Sequence, residues 1–371
     1  MDETRLAPAA PASRAATYAA RVTGTAWWSL RFLSALFLFV GALQVMKMGA
    51  ASLSVLNNDG FLVNNAASTF GLGWVGALFV LSGSPVAASA LTLVAAGSIS
   101  DAEGFTMLTG SRLGAAFVVL LVAVIYALRG GEGKRMAPVS TAVIALSATA
   151  LIYVPGGLLG YTLLRWRPFR SIDVQFPAQF TDLIDFIYAD LLAKIENLPA
   201  ALLFVGGLAI LLVAFKLIDT VVPELSDETI ESSRMSWLKS KWPMFGLGSL
   251  VALVAMSVSV ALAVLVPLVA KGYVKRENIL PYIIGANITT LGDTLLAAFL
   301  LNSPPSIRIV LASILGTTIV SLILLQFAYP SVKSQVWRFQ RQVVGSRARL
   351  AAFTGALFLI PVSIIVLAGI T

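Results

Sequence analysis

The sequence predicts an all-α, polytopic membrane fold: an inverted-topology repeat with two re-entrant helical hairpins and about seven full transmembrane helices. Three observations carry that expectation. Of 371 residues, 58% are hydrophobic and 12% charged, roughly half the charged share of an ordinary soluble domain. Apolar stretches long enough to cross a bilayer recur along most of the chain. A shift of 175 residues also lays one half of the chain over the other without a gap, small polar residues on small polar residues.

Composition narrows the chemistry. The chain has no cysteine and no histidine, which removes disulfides, thiolate nucleophiles and every metal site built on sulfur or imidazole. It also removes the usual general base of hydrolases. With no paired carboxylates at one depth, no enzyme is expected, and no cofactor beyond a coupling ion. The net charge of +8 comes with no basic stripe or stacking platform for nucleic acid. In a membrane chain such charge records topology.

Taken in order, residues 1–26 are rich in Ala and Pro and carry Arg5, Arg14 and Arg21. The apolar run that follows is too long for a signal peptide, and no small-residue cleavage site ends it. A short disordered cytoplasmic tail is therefore expected. Full-length apolar segments follow at 27–48, 105–128, 138–164, 199–221, 279–301, 306–329 and 350–370. Each covers ~30 Å of hydrocarbon at ~1.5 Å per residue. Two more, 71–98 and 243–270, are interrupted: the first at Ser82-Gly83-Ser84-Pro85, the second at Ser257-Val258-Ser259 with Pro267 beyond.

Charge decides between crossing and hairpin. The loops with Arg129, Lys134 and Arg135, with Lys271, Lys275 and Arg276, and the stretch 331–349 are basic. The positive-inside rule puts all three in the cytoplasm with the N-terminus. They share a side only if both interrupted segments are re-entrant. The stretch 165–198, with Asp173, Asp182, Asp185, Asp190 and Glu196, then falls outside. The polar run from Asn57 to Asn65 reads as an extracellular loop before the first hairpin. The expected divisions are a tail (1–26), a first repeat (27–165), an acidic extracellular loop (166–198), a second, inverted repeat (199–329), and a basic loop with the last helix (330–371). The location is the cell membrane.

Under the 175-residue shift Ser82 falls on Ser257, Ser84 on Ser259, Gly97 on Gly272 and Gly110 on Gly285. An odd number of crossings separates the halves, which inverts the second. Inverted repeats with interrupted helices at midplane are the architecture of secondary transporters. Re-entrant backbone at that depth must be buried in protein or line a wet cavity.

The chemistry-bearing candidates follow from that frame. Ser82, Gly83, Ser84, Ser257 and Ser259 sit at the hairpin tips, where helix N-termini favour an anion; any tight reversal also uses Ser, Gly and Pro. Asn287, Thr289 and Thr290 offer neutral oxygens to a hard cation such as sodium, or bond back to their own helix. Arg112 lies about 14 Å into its helix counted from Glu103, where a guanidinium needs a partner or a cavity. Asp293 lies at similar depth. Either Arg112 grips an anionic substrate while Asp293 holds sodium or a proton, or the two neutralise each other as a structural pair. Arg31, Lys47 and Lys216 lie toward helix ends and snorkel.

A hairpin with a Ser-rich tip, the exit Leu93-Val94-Ala95-Ala96-Gly97, and a helix opening Gly285-Ala286-Asn287-Ile288-Thr289-Thr290 together resemble the type II sodium/phosphate cotransporter family. That family carries a QSSSATT and a GANIGTT motif in each half. The resemblance covers roughly residues 27–329. It implies phosphate as the anion, sodium as the coupling ion, and a substrate held between the hairpins. Leu81 and Met256 stand where the family has glutamine, Val86 and Ala261 replace its threonines, and Gly110-Ser111-Arg112-Leu113-Gly114-Ala115-Ala116 replaces the first GANIGTT. Two classes of function stay open: a secondary carrier of a small anion, phosphate first, or a non-transporting membrane scaffold descended from one. Besides the bilayer, the only expected partner is that anion; the sequence says nothing of oligomeric state.

Overall fold

The structure is a computed structural model describing residues 14–53, 65–129, 136–174, 177–221, 240–256, 261, 262, 265, 269, 274 and 278–370. Several sequence expectations lie outside them: Ser257 and Ser259, the polar run 57–64, and Lys134, Arg135, Lys271, Lys275 and Arg276.

Every regular element among the described residues is helical. Helix α1 (Arg14–Leu53) is followed by α2 (Ala66–Val80), α3 (Gly83–Ala95), α4 (Asp101–Ala115), α5 (Phe117–Arg129) and α6 (Met136–Arg165). A short α7 (Arg167–Arg170) and α8 (Ala178–Ile195) connect to α9 (Ala200–Val221). Then come α10 (Lys241–Ala255), α11 (Ile279–Thr289), α12 (Leu291–Leu300), α13 (Pro304–Gln326), α14 (Tyr329–Val344) and α15 (Arg347–Ile370). Seven spans are long and apolar enough to cross a membrane: one each in α1, α6, α9, α13 and α15, one through α4–α5 and one through α11–α12. They coincide with the seven segments expected from sequence. Their outward faces carry large exposed apolar side chains, such as Leu158, Val205, Val213 and Leu367. Lipid suits such a surface and water does not.

The ends of these helices follow from local chemistry. Asn65 caps α2 by accepting from the amides of Ala67 and Ser68, and Ser68 answers to the Asn65 backbone. Ser100 and Glu103 form the same reciprocal box at α4. Ser303 caps α13 ahead of Pro304 and Pro305, which supply no amide where none is needed.

Helix α2 has 15 residues and α3 has 13, about 22 and 20 Å at ~1.5 Å per residue. Neither reaches across ~30 Å of hydrocarbon. Leu81 turns the chain in the left-handed conformation (φ 56°), and Val86 returns alongside Gly76. At the end of α10, Met256 adopts the same conformation (φ 46°). Of the segment beyond it, Ala261, Leu262, Leu265 and Val269 are buried.

The 175-residue correspondence extends to backbone detail. Helices α2 and α10 begin and end at corresponding residues, as do their left-handed caps. A Cβ on Gly73 would overlap the carbonyl of Met107, and one on Gly248 the carbonyl of Tyr282, the residue corresponding to Met107. Gly110 meets the carbonyl of Phe70, and Gly285 that of Phe245, again corresponding residues. So α2–α4 and α10–α11 are clamped by matching glycine pairs that allow backbone to touch backbone.

Two further crossings close the bundle. Along α1 and α9, Phe39 meets Phe215 edge-on at 5.3 Å, Gly207 lies on Met46, and Gly49 lies on Ala200 and Phe204. Partners fall in number as α1 rises, so the helices run antiparallel. Helix α6 meets α13 at Gly156, Gly160 and Gly316, where small residues permit close approach without a hydrophobic drive between helices.

Two segments expected as loops are helical. Within 166–198, α8 docks on α1 through Tyr188, whose ring stacks on Phe37 at 5.1 Å and whose hydroxyl donates to the Phe37 carbonyl at 2.6 Å. Burial pushes the Tyr188 phenol up to about 12. Within 330–349, α14 buries Val332, Val336 and Val343 and turns Arg338 and Arg341 outward. In both, charged residues interrupt the apolar run while a helical face persists. Helix α1 also begins at Arg14, inside the stretch expected as tail.

Candidate site at the centre of the bundle

Both central spans are interrupted, α4–α5 at Ala116 and α11–α12 at Thr290. Arg112 stands one turn before the first interruption and Asp293 just after the second. Both side chains are 1% exposed. Arg112 Nη2 lies 3.4 Å from Asp293 Oδ1 and donates a short hydrogen bond to Thr294 Oγ1. Thr294 in turn donates to Asp293 Oδ1 at 2.7 Å. The hydroxyl thus bridges cation and anion, and the contact is made through one guanidinium nitrogen.

What is left over matters as much. Among the described residues, Arg112 Nε and Nη1 and Asp293 Oδ2 have no hydrogen-bond partner. A buried guanidinium with two idle nitrogens is costly, because donors removed from water lose their hydration without replacement. A fork-to-fork pairing would engage both carboxylate oxygens; this pair does not.

Beside it lies a second, fully engaged cluster. Asn287 Nδ2 donates to Thr149 Oγ1 at 3.2 Å and to the Ile283 carbonyl at 2.9 Å. Tyr153 donates to the Asn287 carbonyl at 2.6 Å, and Thr290 Oγ1 donates to the same oxygen at 3.3 Å. Thr289 faces the other way, donating to the Ser249 carbonyl on α10 at 2.8 Å. Asn287 and Thr290 therefore share one network while Thr289 belongs to the α10–α11 contact.

The first hairpin tip packs against the turn that carries Arg112: a Cβ on Gly83 would lie 3.0 Å from both the Ser111 carbonyl and the Ala115 methyl. Ser84 is buried and Ser82 half-buried; Ser82 makes no capping hydrogen bond, so the first amides of α3 stay uncapped by its side chain. Ser82, Gly83, Ser84 and Arg112 thus gather around one interruption, Asn287 and Thr290 around the other, and Asp293 reaches from the second to Arg112.

The sequence reading paired Arg112 with Asp293 but missed Thr294, Thr149 and Tyr153. All three are 1% exposed. Thr149 and Tyr153 stand four apart in an otherwise apolar stretch of α6, a spacing that puts both on one face. That was the available signal. Thr294 offered none beyond adjacency to Asp293.

Comparison of the chain with family models, with curated proteins and with solved structures finds no match.

Proposed function

We propose that this chain is a secondary active carrier of a small inorganic anion, phosphate first, with Arg112 as the group that receives it. The observation that carries this reading is the unfinished ion pair. Among the described residues, Arg112 Nε and Nη1 and Asp293 Oδ2 have no partner, at the middle of a bundle where idle charge is expensive. A tetrahedral oxyanion offers acceptors in the fork geometry that guanidinium prefers. The uncapped amides of α3 are next to the same turn of α4 and favour negative charge. Asp293 is then the group that holds Arg112 when no anion is bound, and its free oxygen is the place for a coupling proton or sodium ion.

The carrier reading includes the architecture. The glycine clamps that correspond across 175 residues, and the antiparallel crossing of corresponding helices α1 and α9, support two repeats of opposite orientation. Three spans in the first repeat support the inversion, and the length of α2 and α3 supports a re-entrant hairpin. The charge bias supports a cytoplasmic N-terminus in a plasma membrane.

A second reading has its own observation. The Arg112–Thr294–Asp293 contact is closed to solvent, as a locked core of a non-transporting scaffold would be. Uptake of labelled phosphate into proteoliposomes, driven separately by sodium and by proton gradients, decides between them. The carrier reading expects gradient-driven uptake that Arg112→Ala abolishes and Asp293→Asn uncouples from the gradient. No uptake of phosphate, sulfate or other small anions under either gradient, with both variants merely destabilised, overturns it in favour of the scaffold.

A further inference from the structure

Helix α14 joins α15 through Gly345 and Ser346, and α15 is a spanning helix beginning at Arg347. That junction fixes α14 at the level where hydrocarbon gives way to headgroups. Arg338, Arg341, Arg347 and Arg349 crowd this elbow, and no described carboxylate forms an ion pair with them.

Two concavities lie along α14 and α15. One, of about 330 Å³, is lined by Arg338, Arg341, Gln342 and Arg349, and the Arg349 guanidinium lies over Gly345 at the elbow itself. The other, of about 340 Å³, is apolar: Gln335, Val336 and Phe339 of α14 and Phe353 and Leu357 of α15 form its mouth. Leu146, Ala150, Leu113 and Trp74 form its floor.

Both are lined by residues of the same two helices. On α15, Arg349, Phe353 and Leu357 follow at four-residue steps, so one face runs from charge to hydrocarbon. On α14, Gln342, Phe339 and Gln335 follow at three and four residues and make the facing ridge. The cleft between them is cationic at the headgroup end and apolar toward the bundle interior. Phe339 and Phe353 meet edge-on at 5.8 Å between the two ends.

From this we infer that the α14–α15 cleft is a binding site for one anionic glycerophospholipid. The phosphodiester is held by Arg338, Arg341 and Arg349, and an acyl chain runs past Phe353 and Leu357 to Trp74. Each guanidinium near an anionic surface adds attraction that falls off within a Debye length; the apolar half adds the burial of chain methylenes. A zwitterionic lipid satisfies only the second. A soluble phosphate satisfies only the first. The inference is independent of what the bundle carries.

Trp74 on the floor of the cleft makes the test optical. The full chain, purified in a neutral detergent, is titrated with phosphatidylglycerol brominated on its acyl chains and with phosphatidylcholine brominated alike. Bromine quenches nearby tryptophan. The chain has seven tryptophans, so the signal is the part of the quenching that Trp74→Phe removes; that part is expected to saturate with phosphatidylglycerol at low mole fraction and to be absent with phosphatidylcholine. Combined Arg338→Gln, Arg341→Gln and Arg349→Gln raises the half-saturating mole fraction about tenfold or more. Ala150→Leu, which fills the apolar half and leaves every charge in place, does the same. Inorganic phosphate at millimolar concentration does not displace the lipid.

An equal Trp74-dependent quenching by the two lipids overturns the site. So does displacement by inorganic phosphate, or saturable quenching untouched by Ala150→Leu. Should the triple variant fail to fold, the wild-type comparison of the two lipids and the phosphate competition decide alone.

Discussion

The α2–α4 clamp and the α10–α11 clamp are built alike and present different chemistry. In each, two glycines let a short helix lie backbone-to-backbone against the start of a central span. In each, a non-glycine residue in the left-handed conformation ends the short helix. Yet the corresponding positions on the two spans hold Arg112 in one half and Asn287 in the other. Arg112 is charged and half-satisfied; Asn287 is neutral and fully engaged with Thr149, Tyr153 and its own helix. The shared part is scaffold, set by sterics that tolerate no side chain. The divergent part is the polar centre, where side chains change without disturbing the backbone that holds them.

That contrast is open to breakage. The largest effect is expected from the clamps: Gly110→Val and Gly285→Val should each cost about 3 kcal/mol or more, at or above the upper end of overpacking costs because the neighbour is backbone and cannot repack. Denaturant titration in mixed micelles should give similar losses for both. A loss in one half only would end the equivalence. Next comes the pair. Arg112→Met or Asp293→Asn alone should destabilise by about 3 kcal/mol, since each leaves a charge buried without its partner. The double variant should recover most of that loss, and additive losses would mean the two do not interact.

Tyr153→Phe tests the neutral side. It should cost about 1 kcal/mol through the unmet Asn287 carbonyl, and less if that carbonyl finds Thr290 alone sufficient. The smallest effect belongs to the turns. Leu81→Gly and Met256→Gly should each stabilise by up to about 1 kcal/mol by relieving the left-handed conformation. Gains that differ in sign between the two would separate the halves at their tips.

How much of this was legible depended on whether a signal was one-dimensional. Spans are read from continuous apolar runs, so all seven emerged. The reversal at Leu81 was visible through the Ser82-Gly83-Ser84-Pro85 break that follows it. Helices α8 and α14 were not, because their charged faces resemble loops unless periodicity is weighed before charge. In the site, Arg112 and Asp293 announced themselves by being charged at depth. Thr294, Thr149 and Tyr153 did not, because a hydroxyl in an apolar helix has a local carbonyl to bond, and only the packed fold shows whether it reaches further.

The crossing of α1 with α9 has one more consequence. The two helices cross antiparallel, near positions that correspond under the 175-residue shift, as surfaces do across an isologous interface. The contact has the form that two separate chains could make by association. Cutting the backbone between α7 and α8 would turn that internal contact into an intermolecular one. The stability of the assembly would then depend on the concentration of its halves, by mass action.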